Sequence, residues 1–308
     1  MTRGPGIPRD KKPGAKARRA SASRRPTLVP SFDGSPIGAY RLEGGQGTPV
    51  LVCNSVGATL RAWGGSLTAV LEARRGITWD HRGLHASGGP RSDRMDPAAQ
   101  ADDAIAVVDH FGIDRFVLCA WSTGGRIALE IAHRYPERVE SMALVCGGYG
   151  YSLIQLFRNF EVASVLPTAA GIAKQFSPVV GAALKAVAGR PEAGALMRHS
   201  GLVGATEDTA GLVQLLEDVA ACDPRRLLDS YEAVAGSAAP DLPGRIQAAA
   251  LVVAGERDQF APRRMLEEMA RAMPAARLEV FEGASHFLPL EFPRRLGAEL
   301  HGFFERRL

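Results

Sequence analysis

Ser122, Asp258 and His286 are the residues whose types and positions in the chain could support nucleophilic chemistry. A serine hydroxyl is a poor nucleophile at neutral pH, so it needs an imidazole to take its proton and a carboxylate to fix the imidazole tautomer. Asp258 and His286 each follow a short apolar run with the composition of a strand. Because the carboxyl ends of parallel strands meet at one edge of a sheet, we expect all three side chains to face one crevice.

The segment around Ser122 has the pattern of a buried strand, a sharp turn and a helix. Residues 116–120 are apolar, and after the serine apolar residues recur at helical spacing until Pro136. A serine at the apex needs a strained backbone, which is tolerable only if the residues two before and two after it are very small. Ala120 and Gly124 meet this requirement, so we predict that Ser122 is a nucleophile. An ordinary strand-to-helix turn in an alanine-rich chain is the alternative.

The acid and the base also have simpler explanations. Asp258 could cap the helix predicted to begin near Pro262, and Glu256 is a nearby alternative acid. A single loop histidine is usually structural or solvated, and we assign that role to the other six histidines. These are His81, His85, His110, His133, His199 and His301. His286 differs in its place, because serine, acid and histidine follow one another in a workable order across the strand ends.

An oxyanion hole requires backbone N–H groups close to the nucleophile. The residue after the nucleophile supplies one donor, which here is Thr123. The loop over residues 54–57 follows another short apolar strand and can supply the second donor, for which we predict the Val56 N–H, with Asn54 shaping the turn. The sequence Asn-Ser-Val-Gly is also typical of an ordinary turn.

Strand-like and helix-like segments alternate along most of the chain. Strands are predicted over residues 27–31, 37–42, 49–53, 76–80, 116–120, 139–146, 248–254 and 277–281, the first two forming a hairpin. Helices are predicted over residues 63–74, 97–111, 124–135, 262–273 and 293–304. This alternation predicts the α/β class, with a mostly parallel twisted sheet covered by helices on both faces.

The alternation stops near residue 147 and resumes at residue 248. Helical patterns with apolar faces lie between these points, so we predict a helical cap over residues 149–247, inserted into a core of residues 27–148 and 248–308. The cap is expected to enclose an apolar substrate pocket, although packing between cap and sheet also explains its apolar residues. Residues assigned to this pocket are Asn54, Trp121, Phe157, Phe160 and Phe287.

Composition narrows the functional classes. Residues 1–30 carry nine Lys or Arg and one acidic residue, a net charge of +8, whereas the whole chain has +4. Residues 1–26 are therefore predicted as a disordered basic tail, and no nucleic-acid binding is expected from the folded domain.

The four cysteines lack the clustering of a metal site, so they are expected to be buried thiols. The sequence holds no predicted membrane span and no nucleotide motif, so a cytoplasmic protein without metal or cofactor is expected.

Several motifs together resemble the α/β-hydrolase fold family over about residues 27–306. They are Asp80-His-Arg-Gly83, Ala120-Trp-Ser-Thr-Gly124, Gly255-Glu-Arg-Asp258 and Gly283-Ala-Ser-His286. Ala120 departs from the family pattern, which has glycine at that position. The loop from Asn54 to Thr59 is similar to the oxyanion loop of 3-oxoadipate enol-lactonases. The sequence Ser-Thr-Gly-Gly, which begins at Ser122, is similar to the nucleophile turn of cofactor-free haloperoxidase-type perhydrolases. The resemblance implies a helical cap and a serine-hydrolase triad.

We expect a hydrolase that attacks a small ester, lactone or thioester and forms an acyl-enzyme intermediate. Perhydrolysis or carbon–carbon bond hydrolysis on the same three residues is one alternative. A ligand-binding protein that retains the three residues without turnover is another, because one fold hosts unrelated functions. A small molecule is the expected partner, and the sequence is compatible with a monomer or a homo-oligomer.

Overall fold

A computed structural model describes residues 25–150 and 203–306 apart from residue 207, with a few isolated positions between residues 186 and 199. Nearly all of the predicted basic tail lies outside the described residues, as does much of the predicted cap. The two predicted pocket residues Phe157 and Phe160 also lie outside them.

An eight-stranded sheet forms the centre of the described structure. Its strands are β1 (Thr27–Pro30), β2 (Pro36–Gln46), β3 (Val50–Cys53), β4 (Arg74–Trp79), β5 (Phe116–Trp121), β6 (Val139–Val145), β7 (Ala249–Gly255) and β8 (Ala276–Phe281). Their order in the sheet is β1-β2-β4-β3-β5-β6-β7-β8. The pairs β1–β2 and β2–β4 are antiparallel, and the other five pairs are parallel. The predicted fold class is confirmed.

The helices connect these strands. They are α1 (Thr68–Ala73), α2 (Pro97–His110), α3 (Gly124–Arg134), α4 (Thr209–Ala221), α5 (Pro224–Ala235), α6 (Arg263–Ala272), α7 (Leu288–Glu291) and α8 (Pro293–Glu305). Helices α2 and α5 begin with proline directly after an aspartate whose carboxylate accepts a backbone N–H of the first turn. This arrangement satisfies one of the amide donors that every helix start leaves unpaired.

Two layers of apolar side chains cover the sheet, one on each face. One layer contains side chains of α2, α3 and α6, and the other contains side chains of α1 and α8. Every residue of β5 is buried, which explains why its sequence is continuously apolar rather than alternating. The strand that leads to Ser122 is therefore held from both sides.

The helix predicted over residues 63–74 is wrong in its first half. A 3-10 turn spans Leu60–Trp63, Gly64 then takes a left-handed φ of 54°, and α1 begins only at Thr68. A side chain at Gly64 would also meet the Asp208 carboxylate, because its Cβ would lie 2.6 Å from that group. The apolar periodicity predicted a helix here, but the local backbone follows the two consecutive glycines.

The strand order creates a crevice at the carboxyl edge of the sheet. From β3 the chain crosses to β4 on one side, whereas β5 lies on the other side of β3. Loops that leave β3 and β5 therefore diverge, and open α/β sheets bind ligands at such a reversal point. Asn54 follows β3 and Ser122 follows β5, so the sheet places both residues at this crevice.

His81 is a buried histidine that directly follows Asp80 at the end of β4. Its side chain is 3% exposed, and neither ring nitrogen hydrogen-bonds to another residue in the described part of the chain. Burial disfavours the charged imidazolium and, together with nearby His85, lowers the pKa of His81 to about 4. The folded protein therefore holds His81 neutral at pH values where the unfolded chain binds a proton.

Acidification is expected to destabilise the protein through His81. The unfolded chain takes up this proton near pH 6.5 and the folded chain only near pH 4, so stability falls as the pH drops between these values. From pH 7 to pH 4 this contribution is about 3 kcal/mol. Urea unfolding across this pH range should show a flatter pH dependence for His81→Phe, whereas the exposed His110→Gln should behave as the wild type. An unchanged slope in His81→Phe would contradict the assignment.

Candidate active site

Ser122, His286 and Asp258 lie in one hydrogen-bonded chain. His286 Nε2 is 2.7 Å from Ser122 Oγ, and His286 Nδ1 is 2.9 Å from Asp258 Oδ2 and 3.1 Å from Oδ1. The Asp258 side chain is fully buried, and that of His286 is 10% exposed. The structure thus brings together the three residues that the sequence predicted to meet.

The backbone at Ser122 adopts the strained conformation predicted for the apex of the turn. Its φ is 56°, which is uncommon for a residue other than glycine. Small neighbours make this turn possible: a Cβ at Gly124 would lie 2.5 Å from the Asn54 carbonyl oxygen, and one at Gly147 would lie 2.1 Å from the Ser122 carbonyl oxygen. Gly147 was not predicted from the sequence as a requirement of the turn.

Asp258 has two structural roles in the loop after β7. Its Oδ1 accepts the backbone N–H groups of Phe260 and Ala261, both at 2.8 Å, while Oδ2 faces the imidazole. The sequence analysis offered capping of the helix near Pro262 as an alternative to the pairing with histidine. Helix α6 begins without a side-chain cap, and Asp258 instead accepts the two N–H groups of the loop that precedes the helix. Glu256 is exposed, and its carboxylate accepts the Gly283 N–H instead.

Two buried side chains, those of Trp121 and Glu291, hydrogen-bond to the loop that carries His286. The Trp121 indole N–H donates to the His286 carbonyl at 3.0 Å. Glu291 is 1% exposed and accepts both the backbone N–H and the hydroxyl of Ser285. On the other side the Phe260 ring lies 4.9 Å from the imidazole, measured between centroids. These contacts restrict the imidazole to a position between serine and carboxylate.

The loop after β3 is anchored on the core through Asn54. Its side-chain amide donates to Thr78 Oγ1 at 3.0 Å, and its carbonyl accepts the Trp63 indole N–H at 3.0 Å. The Val56 N–H, predicted as an oxyanion donor, donates to the Thr123 hydroxyl oxygen at 2.8 Å. This bond ties the loop directly to the residue after Ser122.

Helix α4 contacts the same loop through Asp218. This carboxylate is 2% exposed and accepts the Thr59 hydroxyl at 2.6 Å and the Thr59 N–H at 3.3 Å, and it also pairs with Arg61. Leu227 of α5 lies against Gly57, where an added Cβ would approach it to 2.6 Å. Helices α4 and α5, in the described part of the segment between β6 and β7, therefore both contact the loop that carries Val56.

A small cavity opens beside Ser122 and His286. Besides these two residues and Thr123, its described wall consists of small, apolar or aromatic residues, namely Cys146, Gly147, Gly148, Gly150, Tyr231, Ala235, Phe260, Ala261 and Met265. A wall of this kind accommodates an uncharged organic group next to the serine hydroxyl.

Three of the predicted pocket residues, Asn54, Trp121 and Phe287, are not among the described residues that line this cavity. Asn54 and Trp121 are each 2% exposed, and their polar atoms are hydrogen-bonded within the core. Phe287 packs edge-on against Trp121 and Phe260. The sequence analysis missed Tyr231 and Phe260, because only the fold shows that α5 and the loop after β7 reach the serine.

Residues 25–150 and 203–306 contain no group of three or more His, Cys, Asp or Glu side chains arranged to hold a metal ion. No helix in the described part of the chain has both the length and the apolar character that crossing a bilayer requires.

Comparison with known proteins shows the family. Residues 48–293 match the family model of the alpha/beta hydrolase fold, which covers most of the chain. The chain therefore belongs to the alpha/beta hydrolase fold family, and it is a hydrolase of that fold.

The sequence identity to individual relatives is low. A protein of Rhizobium rhizogenes whose name describes it as a carbamate hydrolase, RutD, is 30% identical over 96 residues, which span 31% of this chain and only 37% of that protein. An uncharacterized protein of Mycobacterium bovis is 26% identical over 259 residues, covering 81% of this chain and 72% of the relative.

Solved structures show the same fold. An enol-lactonase from Burkholderia xenovorans superposes with a TM-score of 0.68 at 20% identity, covering 91% of this chain and all of that one. An esterase from Exiguobacterium antarcticum gives 0.70 at 22% identity, covering 91% and 100%. Est816, described as degrading N-acyl homoserine lactones, gives 0.66 at 26% identity, covering 90% and 100%.

Proposed function

We propose that the protein is a serine hydrolase that cleaves a small ester, lactone or thioester through an acyl-enzyme intermediate. The observation that carries this proposal is the hydrogen-bonded chain from Asp258 through His286 to Ser122, with Ser122 on a strained turn beside a cavity. Membership of a hydrolase family supports it.

The geometry supports a specific order of proton transfers. His286 Nε2 takes the Ser122 proton as Oγ adds to the substrate carbonyl, and Asp258 stabilises the imidazolium through Nδ1–H. The imidazolium then gives the proton to the leaving group, and Ser122 remains acylated. Water attacks the acyl group with His286 again as base, which releases the acid and restores Ser122.

The oxyanion of each tetrahedral intermediate needs donors on the same side as Ser122. We assign the Thr123 N–H as one donor and the loop that carries Val56 as the source of the second. The hydrogen bond from Val56 to the Thr123 side chain supports this assignment, because it holds the loop against the residue after the nucleophile. Each such donor contributes roughly 3 kcal/mol in comparable sites.

The substrate class follows from the cavity wall. The described wall carries no Asp, Glu, Lys or Arg side chain, so the part of the substrate next to Ser122 is expected to be small and uncharged. The description of Est816 as degrading lactones, at 26% identity, is compatible with a lactone or ester. We further propose that residues 149–247 cap the crevice, since Tyr231 and Ala235 of α5 line the cavity.

A fluorophosphonate probe tests the proposal without knowledge of the substrate. The probe phosphonylates a serine that is activated by a neighbouring base, so intact-protein mass spectrometry should show a single adduct. Peptide mapping should place it on Ser122. A protein that binds a ligand without turnover would remain unlabelled, and that result would contradict a serine-hydrolase mechanism.

A substrate panel then separates the reactions that this site can perform. Nitrophenyl esters of increasing acyl length, simple lactones and acyl thioesters should be hydrolysed, with short uncharged acyl groups preferred because the cavity is small. Peroxide-dependent halide oxidation without ester cleavage would contradict the proposal in favour of a perhydrolase.

A further inference from the structure

The Thr123 side chain contacts the loop that carries Val56 and lies beside the candidate nucleophile Ser122. The Val56 N–H, which the sequence analysis assigns to the oxyanion hole, donates to Thr123 Oγ1 at 2.8 Å. Ser55 Oγ lies 3.2 Å from the same oxygen, and Thr123 lines the cavity beside Ser122 and His286. A hydroxyl group therefore stands between the backbone donor of the loop after β3 and the cavity.

The hydrogen-bonding capacity of a hydroxyl determines what this group can do. A threonine hydroxyl has two lone pairs and one proton. Val56 N–H takes one lone pair of Thr123 Oγ1, and either hydroxyl can be the donor between Ser55 and Thr123. When Ser55 donates, the Thr123 proton is left for a group in the cavity. An N–H donated to an oxygen also polarises the O–H of that oxygen and makes it a stronger donor.

We infer that the Thr123 hydroxyl is itself a catalytic donor to the oxyanion, polarised by Val56 N–H. This inference rests on the proposed serine-hydrolase function and deepens it. Thr123 then supplies two donors, its own N–H and its hydroxyl, and the loop that carries Val56 provides the second donor of the hole through this hydroxyl, which its N–H polarises. The acceptor is the carbonyl oxygen of the substrate, which becomes negative when Ser122 adds to the carbonyl carbon.

Substitutions at Thr123 separate a donor from a side chain that only fills the hole. Thr123→Val keeps the shape and removes the hydroxyl, and Thr123→Ala also opens space for Val56 N–H. Both should lower kcat for 4-nitrophenyl butyrate by about 10- to 100-fold with little change in KM, because a lost oxyanion donor acts on the transition state. Thr123→Ser keeps the donor and should recover most of that loss. Thr48→Val, which removes a hydroxyl that bonds to Glu140 at an exposed site, is the matched control.

Wild-type rates in Thr123→Val or Thr123→Ala would overturn the inference, because Val56 N–H would then be the direct donor. Thermal unfolding of each variant checks that the fold is retained. The rate of fluorophosphonate labelling should fall in parallel with kcat, since the phosphoryl oxygen takes the place of the oxyanion. If the wild type labels but does not hydrolyse the ester, labelling rates still test the hydroxyl. If it does not label, the proposed function itself fails.

Discussion

Replacing Ser122 with alanine is expected to lower kcat for an activated ester by at least about 10⁴-fold. The variant lacks the only atom that can carry the acyl group in the proposed mechanism, whereas the histidine and the carboxylate remain paired. Folding should be retained, because alanine is smaller and Ser122 Oγ is hydrogen-bonded to His286 alone among the described residues. The measurements are initial rates, fluorophosphonate labelling and thermal unfolding of the same preparation.

Ser237→Ala is the matched control for this experiment. Its hydroxyl bonds to the Val234 carbonyl, and the residue is not part of the cavity wall in the described structure. This variant should retain the wild-type rate and the probe adduct. Undiminished hydrolysis by Ser122→Ala, with the control also active, would mean that another group attacks the substrate.

The order of the core elements was accessible from the sequence because the apolar runs are short and uninterrupted. Residues 116–120 and 248–254 are continuously apolar, and such runs are typical of parallel strands that are covered on both faces. The hairpin of β1 and β2 was likewise marked by Asp33-Gly34. The pattern failed at residues 63–67, where apolar residues at helical spacing surround two glycines and the backbone turns instead.

The proximity of Ser122, Asp258 and His286 could be predicted because each one follows a strand end. Their neighbours could not be predicted in the same way, since they come close only through tertiary packing. Tyr231 lies on α5, more than 100 residues after Ser122, and its position in the cavity wall depends on how that helix packs. The bond between Val56 and the Thr123 hydroxyl also depends on side-chain geometry, which residue spacing does not encode.

Replacing Asp258 with asparagine is expected to lower kcat by about 10⁴-fold at neutral pH, although the shape of the side chain is kept. Two backbone N–H groups, those of Phe260 and Ala261, point at Oδ1. The amide oxygen of an asparagine must therefore take that place, which turns its NH₂ group toward His286 Nδ1. The imidazole then holds its proton on Nε2, facing Ser122, and cannot accept the serine proton.

Glu256→Gln is the control for this change, because Glu256 is the other acid of the same loop and accepts only the exposed Gly283 N–H among the described residues. It should retain the wild-type kcat, and both variants should unfold at nearly the wild-type temperature. A large loss of kcat in Glu256→Gln, together with an active Asp258→Asn, would mean that Glu256 rather than Asp258 is the acid that acts with His286. Wild-type kcat in both variants would mean that the tautomer of His286 does not control the rate. Proton transfer from Ser122 would then require a base other than His286.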